Sequence, residues 1–406
     1  MPFFLHLLGL AVFAQGTSEF MLAGLGPDIA RDLGVPLSDA GLLTSAFAVG
    51  MVVGAPTMAL LARRFRPRSA LLAFLAAFLA VHVAGALTGS FAVLLTTRVL
   101  GALANAGFLA VALATAVTLV RPDQKGRAAS VLLSGVTLAC VAGVPAGALL
   151  GQLWGWRAAF WAVAALSVPA LLAILVAAPA PPRTPSDASA APRPDTRAEL
   201  RVLRRTGLQL ALLLGALVNG ATFCAFTYLA PVITDVAGLT DAWVPALLAL
   251  FGLGSFLGVT LAGRLADSRP RAVAGAGSLA LLATWTTFAA TAGSPPATVA
   301  LTLLAGTLSF GVGATLISRI LYAAEDAATL GGAYATAALN VGAVIGPVLG
   351  GFALTWGPRG PLWVSAGLIA LALPGVWWSL RVRMTDPRGR RHVPDPGRDI
   401  QAPSGP

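Results

Sequence analysis

The chain has little charge and almost no lysine. Charged side chains make up 11% of its 406 residues, less than half of the roughly 25% usual in soluble domains, and Lys125 is the sole lysine. So few charges cannot cover a water-exposed globular surface. Cys140 and Cys224 are the only cysteines, each inside an apolar run, so neither a disulfide framework nor a metal–thiolate site is implied. No G-x-x-x-x-G-K-[ST] phosphate loop is present, which argues against nucleotide hydrolysis as an energy source. No loop is long enough for a catalytic domain, and no His/Cys/Asp group has metal-ligand spacing. No enzyme activity, metal or cofactor is expected. The opening MPFFLHLLGL lacks a basic n-region, and no A-x-A-like site follows, so it reads as a first span rather than a cleaved leader.

What the chain has is apolar length. Residues of the apolar classes make up 57%, in recurring stretches of about 20 residues, enough to cross a hydrocarbon core of about 30 Å. Twelve helices are predicted, near 4–26, 41–62, 69–89, 91–119, 127–152, 157–178, 207–234, 243–266, 271–293, 297–318, 330–355 and 361–381. Gly, Ala, Ser and Thr are frequent within them, as expected where helices pack closely in lipid.

The net charge of +11 is confined to alternate loops. One set holds Arg63, Arg64, Arg66, Arg68, Arg121, Lys125, Arg127, Arg264, Arg269, Arg271 and Arg319, joined by the arginines of the 179–206 segment and of the tail. The opposite set holds only Arg31, Arg157 and Arg359. This asymmetry is a topology signal and not a nucleic-acid footprint. It places both termini and the central segment in the cytoplasm of a multi-pass cell-membrane protein.

The chain also repeats itself. Arg66-Pro67-Arg68 recurs as Arg269-Pro270-Arg271, 203 positions on. Gly143-Val144-Pro145-Ala146-Gly147 is echoed by Gly346-Pro347-Val348-Leu349-Gly350, and Gly147 and Gly350 are again 203 apart. Solenoid repeats recur every 20–50 residues, so this interval marks a duplicated half-protein, a hallmark of secondary transporters. The expected organisation is an N-terminal six-helix half over 1–178, a Pro/Ser/Ala/Arg-rich cytoplasmic linker over 179–206, a C-terminal half over 207–382 and a disordered tail over 383–406. The fold class is all-α membrane protein, two six-helix pseudo-repeats.

Six plus six helices, a cytoplasmic linker and basic loops after helices 2 and 8 resemble the major facilitator superfamily. Gly263-Arg264-Leu265-Ala266-Asp267-Ser268-Arg269 resembles its G-x-L-a-D-r motif, which implies gating roles for Asp267 and Arg271. In the first copy Arg63 or Arg64 stands where the family has Asp. The Gly143, Pro145 and Gly147 pattern in helix 5 resembles the motif of antiporters, exporters rather than importers. Gly16-Thr17-Ser18-Glu19-Phe20 with Gly24 and Pro27, Arg98 to Ala106 in helix 4, and Gly155-Trp156-Arg157-Ala158-Ala159-Phe160-Trp161 resemble drug:proton antiporters related to sugar-efflux proteins. Together they are similar to the chloramphenicol-resistance exporters of actinobacteria. The resemblance implies a drug substrate, protons as the coupling ion, lipid as the surrounding partner, and a monomer.

Glu19 and Arg98 are the charges that lie inside the hydrocarbon, where a charge costs roughly 2.5–3.5 kcal/mol on insertion scales. At 1.5 Å per residue both fall roughly 10 Å below the outer surface of the predicted helices, at matching depth. Two readings stay open. Glu19 carries a proton inward while competing with Arg98 for pairing, or the two form a permanent bridge between helices 1 and 4. Asn105, Asn219 and Asn340 fall near midplane in helices 4, 7 and 11. They are candidate contacts for a neutral polar substrate, or else helix-to-helix hydrogen bonds. Gln15, Phe223, Phe226 and Tyr228 complete a candidate pocket with aromatic walls. His82 reads as a packing residue, and Trp154, Trp156 and Trp161 as an interfacial belt. The expected function is proton-coupled export of chloramphenicol-type antibiotics. A sugar or metabolite exporter is the alternative, with a non-transporting sensor or an intramembrane enzyme as the reading from another class.

Overall fold

A computed structural model describes residues 3–62, 65–121, 124–177, 196–266, 270–327 and 330–382, and these are helical with no strand among them. Helices are what lipid permits, because every backbone N–H and C=O must be satisfied within its own segment. The first half comprises α1 (Phe3–Phe20), α2 (Leu22–Leu33), α3 (Leu37–Ala62), α4 (Pro67–Leu87), α5 (Phe91–Thr118), α6 (Lys125–Leu138), α7 (Val144–Trp154) and α8 (Trp156–Ala177). A short α9 (Thr196–Val202) follows. The second half comprises α10 (Thr206–Thr227), the single turn α11 (Leu229–Pro231), α12 (Trp243–Ala266), α13 (Pro270–Thr291), α14 (Pro295–Ala323), α15 (Gly331–Ala353) and α16 (Gly360–Val382).

Ten of these stretches are long and apolar enough to cross a membrane, and the bent α1–α2 pair makes an eleventh. The Ala- and Thr-rich α13 occupies the twelfth position, packed on α14 and α16 as α4 packs on α5 and α8. The other pairings repeat in the same way. Helix α1 lies on α6 and α8 where α10 lies on α15 and α16, and α3 lies on α5 where α12 lies on α14. Two six-helix pseudo-repeats are thus visible in the packing itself.

Proline and glycine set the helix ends. Pro67 and Pro295 open α4 and α14 in the first turn, where no N–H partner is lost. Gly34, at φ 64°, closes α2 by returning its N–H to Ala30 O. Gly155, at φ 81°, makes the sharp passage from α7 to α8.

Three differences from the sequence reading matter. The first predicted helix, 4–26, continues to Leu33 but is broken by 54° around Met21. Pro27 removes one backbone donor and crowds the carbonyl four residues earlier, so the helix bends just before it. The longer helix also puts Glu19 near its middle rather than close to one end. The fifth helix is interrupted by a π turn, Ala139–Gly143, immediately before Pro145. Within the 179–206 segment, α9 is docked: Val202 is buried, the Glu199 carboxylate accepts from Leu330 N (3.1 Å), and the Glu199 backbone carbonyl accepts from Tyr334 Oη (3.1 Å). The rest of the linker, residues 179–195, and the tail, 383–406, lie outside the described residues.

Glycine lets the helices approach. Gly135, Ala139, Gly143, Gly147 and Gly151, four apart, turn one small-residue stripe of α6, the π turn and α7 toward α1 and α2. A Cβ at Gly143 would overlap Thr17 Oγ1, one at Gly151 would overlap Leu25, and one at Gly135 would lie 2.6 Å from Gly9 O. The second half repeats the stripe with Gly342, Gly346 and Gly350 on α15, set against Ala216 and Gly220 of α10 and Tyr228 just past its end. This is the physical content of the repeated Gly/Pro motif.

A candidate transport site at the break in the first helix

The break between α1 and α2 fans successive side chains toward different neighbours. Thr17 faces the π turn before α7 through Gly143 and donates to Phe13 O at 2.8 Å. Ser18 faces α4 and α5, Glu19 follows it, and Phe20 points into the second half.

Arg98 is 2% exposed, and its hydrogen bonds are with the backbone and with Ser18. One terminal nitrogen donates to Ser18 Oγ at 2.8 Å, the other to Ser18 O at 2.8 Å, and Nε reaches Leu43 O at 3.5 Å. The guanidinium also lies 4.5 Å from the centre of the Phe47 ring, a favourable cation–π distance. His82 completes the network, with Nε2 2.6 Å from Ser18 Oγ and Nδ1 2.7 Å from Phe78 O. A carbonyl only accepts, so Nδ1 carries the proton; Ser18 then donates to Nε2 while accepting from Arg98. Every member has a partner, and His82 is held as packing.

Glu19 takes no part in that network. It makes no ion pair with Arg98 within 4.0 Å and no hydrogen bond among the described residues, although the two charges are within electrostatic reach. The permanent bridge open at the sequence level is therefore not formed in this conformation. Glu19 is half-buried at the helix break, beside the π turn that carries Cys140. Gln15, one turn before it on the same helix, is 1% exposed, and neither amide atom has a partner among the described residues.

Phe20 leads into an aromatic cluster that joins the halves. It stacks on Phe223 (5.7 Å between ring centres) and meets Phe226 edge-on (6.5 Å). Phe226 stacks on Phe251 at 4.7 Å, and Phe251 meets Phe310 at 6.2 Å. These five rings, with Cys140 and Thr222, line one small apolar cavity. Phe251 and Phe310 carried no signal in the sequence, since phenylalanine is ordinary in apolar helices.

The asparagines sit elsewhere. Asn219 donates to Leu339 O (2.7 Å), tying α10 to α15; Asn340 donates to Thr336 O (2.9 Å) on its own helix; and Asn105 points its amide nitrogen at Met51 Sδ (3.6 Å). Tyr228 is fully buried, donating to Pro347 O at 2.8 Å. Asp267 and the Arg271 side chain lie outside the described residues. Trp156 is not part of an interfacial belt: it is 2% exposed, and its Nε1 donates to Asp32 at 3.0 Å, while Arg157 pairs with the same carboxylate. Trp154 and Trp161 remain exposed.

Two bundles of six helices meeting over a broken helix, with a lone carboxyl beside an aromatic cavity, form a carrier-like arrangement. The sequence profile of the Major Facilitator Superfamily matches residues 8–338. The chain belongs to the major facilitator superfamily. Among its relatives in that superfamily is a chloramphenicol resistance protein of Streptomyces lividans, 56% identical over 375 residues that cover 92% of this chain and 95% of the relative. The inner membrane transport protein YdhP of Escherichia coli (strain K12) is 33% identical over 86% of this chain and 88% of its own. A crystal structure of a bacterial homologue of the human lysosomal transporter Spinster, inward-facing and occupied, superposes with a TM-score of 0.75 at 18% identity, covering 93% of this chain and 96% of that one. At that identity the likeness speaks for the fold.

Proposed function

We propose that this superfamily member exports chloramphenicol-type antibiotics across the cytoplasmic membrane in exchange for protons, by alternating access of a midplane site between its two halves. The observation that carries the reading is the 56% identity, sustained over 92% of the chain, to a protein named for chloramphenicol resistance. The site's chemistry supports an aromatic substrate over a sugar. Five phenyl rings from both halves line the cavity beside Glu19, whereas the amide nitrogens of Asn105, Asn219 and Asn340 are engaged within the protein.

In this reading Glu19 is the proton carrier. Its carboxyl has no hydrogen-bond partner among the described residues, so it gains or loses a proton without breaking a contact with them. Arg98, fixed by Ser18, holds a positive charge within reach of it and makes the two protonation states of Glu19 electrostatically distinct. Proton entry from the outside releases substrate there, and proton release to the cytoplasm readies the site for the next drug molecule. The basic linker, loops and tail orient that side toward the cytoplasm. The domain limits, 1–178 and 207–382 with the linker between, are those of the two rocking bodies, and the monomer is the working unit.

The test is a susceptibility panel in a sensitive host. Chloramphenicol tolerance is expected to rise, to fall back when a protonophore is added, and to be unaccompanied by tolerance to sugar analogues. Tolerance to sugar analogues alone would favour a sugar exporter, and persistence under the protonophore would remove proton coupling.

A further inference from the structure

The two halves touch at the end of the bundle away from the linker, and one aromatic side chain fills the seam. Tyr228, just past the end of α10, lies between α3 of the opposite half and α15 of its own. A Cβ on Gly41 would overlap the Tyr228 hydroxyl and come within 2.7 Å of Cζ. A Cβ on Gly350 would lie 2.7 Å from Cε2, and one on Gly351 would lie 2.9 Å from Oη and 3.3 Å from Ser38 Cβ. Three glycines on two helices thus shape a socket around one ring, and Pro347 O receives its hydroxyl. One turn deeper, Ser45 Oγ donates to Val344 O at 2.8 Å across the same seam.

The other seam is closed differently. Gly24 of α2 abuts Ala148 of α7 and Leu248 of α12, with methyl contacts only, and Gln152 donates to Asp241 O at 2.6 Å above it. Between the two seams opens a vestibule of about 990 Å³, walled by residues such as Asp28, Asp32, Asp235 and Asp241. Gly24 stands on its floor, and Glu19 and Phe20 lie less than two helical turns beyond Gly24.

We propose that Tyr228 is the gate plug of the linker-distal side, seated in the Gly41–Gly350–Gly351 socket when the site is closed to the vestibule and withdrawn from Gly41 when the halves part there. The socket is made by both halves, so seating the ring requires the halves to be together. Its hydroxyl stays with α15, its own half, through Pro347; the contact with Gly41 is the one that opens. Tyr228 is thereby a positioning residue for transport. The proposal rests on the alternating-access reading above.

Cys140, deep beside the cavity, is a built-in reporter once Cys224 is replaced by Ser. In the full-length protein in liposomes, labelling of Cys140 by a membrane-impermeant cationic thiol reagent from the linker-distal side is expected to be slow. Gly41→Ala leaves no room for the seated ring, so labelling should rise at least tenfold and chloramphenicol export should fall by a similar factor. Adding Tyr228→Leu to Gly41→Ala removes the outer ring atoms that meet the new Cβ and should bring labelling back toward the parent rate. Unchanged labelling in Gly41→Ala, or a defect that Tyr228→Leu leaves intact, overturns the proposal. If Gly41→Ala does not accumulate in the membrane, Tyr228→Ala decides by the same assay: faster labelling supports the plug and parent-like labelling refutes it. Labelling is read without transport. A parent that exports nothing counts against the antiport reading, while an exporting parent with an indifferent Gly41→Ala counts against the gate.

Discussion

Arg98 spends two hydrogen bonds on Ser18, one on its hydroxyl oxygen and one on its carbonyl, both 2.8 Å, and none on Glu19, the next residue in the chain. The buried cation is thus fixed by a neutral residue, and the carboxyl beside it has no partner among the described residues. A fixed positive charge next to an uncommitted carboxyl is an arrangement that lets protonation change the local field without first breaking a bridge.

Ser18→Ala should separate structure from coupling. It removes the hydroxyl acceptor for Arg98 and the donor for His82, keeps the backbone carbonyl that Arg98 also reaches, and leaves Glu19 in place. Loss of a buried hydrogen-bonding group costs about 1–3 kcal/mol, so thermal stability of the purified protein should drop by several degrees. Residual export should keep its dependence on a proton gradient. A gradient-independent Ser18→Ala protein would instead place the coupling in the Ser18–Arg98–His82 network.

Phe226 touches Phe20, Phe223 and Phe251 and so stands at the centre of the aromatic cluster. Aromatic pairs contribute about 0.5–1.5 kcal/mol each beyond area burial. Phe226→Ala should therefore raise the drug concentration for half-maximal export about three- to tenfold. Direct binding of radiolabelled chloramphenicol checks this, with an unaffected affinity counting against the cavity as the drug site.

Gly143→Val tests the small-residue stripe of α6, the π turn and α7. Its side chain would overlap Thr17 and force α7 from α1. Overpacking of this kind costs typically about 1–3 kcal/mol, and export should fall together with thermal stability. Gly207→Ala has open space around its Cβ and is the control, expected to match the parent in a thermal melt.

The Glu199 carboxylate receives Leu330 N–H at the start of α15, and its backbone carbonyl, which survives substitution, receives Tyr334 Oη–H, docking α9 on the linker end of the second half. Glu199→Ala should cost about 1 kcal/mol, the usual value of a lost helix cap. Amide exchange in 196–202 should accelerate without change in the vestibule helices. Protection of α9 as strong as in the parent would show that its apolar contacts alone hold it.

Much of this architecture is written in the chain, because lipid leaves few choices. The Arg-Pro-Arg repeat, the glycine stripes and the alternation of charged loops mark the two halves and most helix limits to within a few residues. The break at Met21 and the π turn at Ala139–Gly143 were less legible, although Pro27 and Pro145 signalled that regular hydrogen bonding must fail nearby. The first helix, predicted to end at 26, put Glu19 close to one end, whereas the bent helix runs on to Leu33 and leaves it near the middle. The site was half legible. A charge in an apolar helix is conspicuous, so Glu19 and Arg98 stand out, but which neutral residue satisfies Arg98 depends on the crossing of α1, α4 and α5. Likewise Phe20, Phe251 and Phe310 come from three distant helices and meet only through the packing of the halves.

The central claim is that Glu19 couples drug export to protons. Its most direct test is chloramphenicol movement in proteoliposomes under an imposed pH gradient, with the parent and Glu19→Gln compared at equal protein amounts. The parent is expected to drive the drug against its gradient toward the acidic side. Glu19→Gln should bind the drug yet show no gradient-driven accumulation, exchanging it only downhill. Gradient-driven accumulation by Glu19→Gln at the parent's rate and pH dependence would contradict the account.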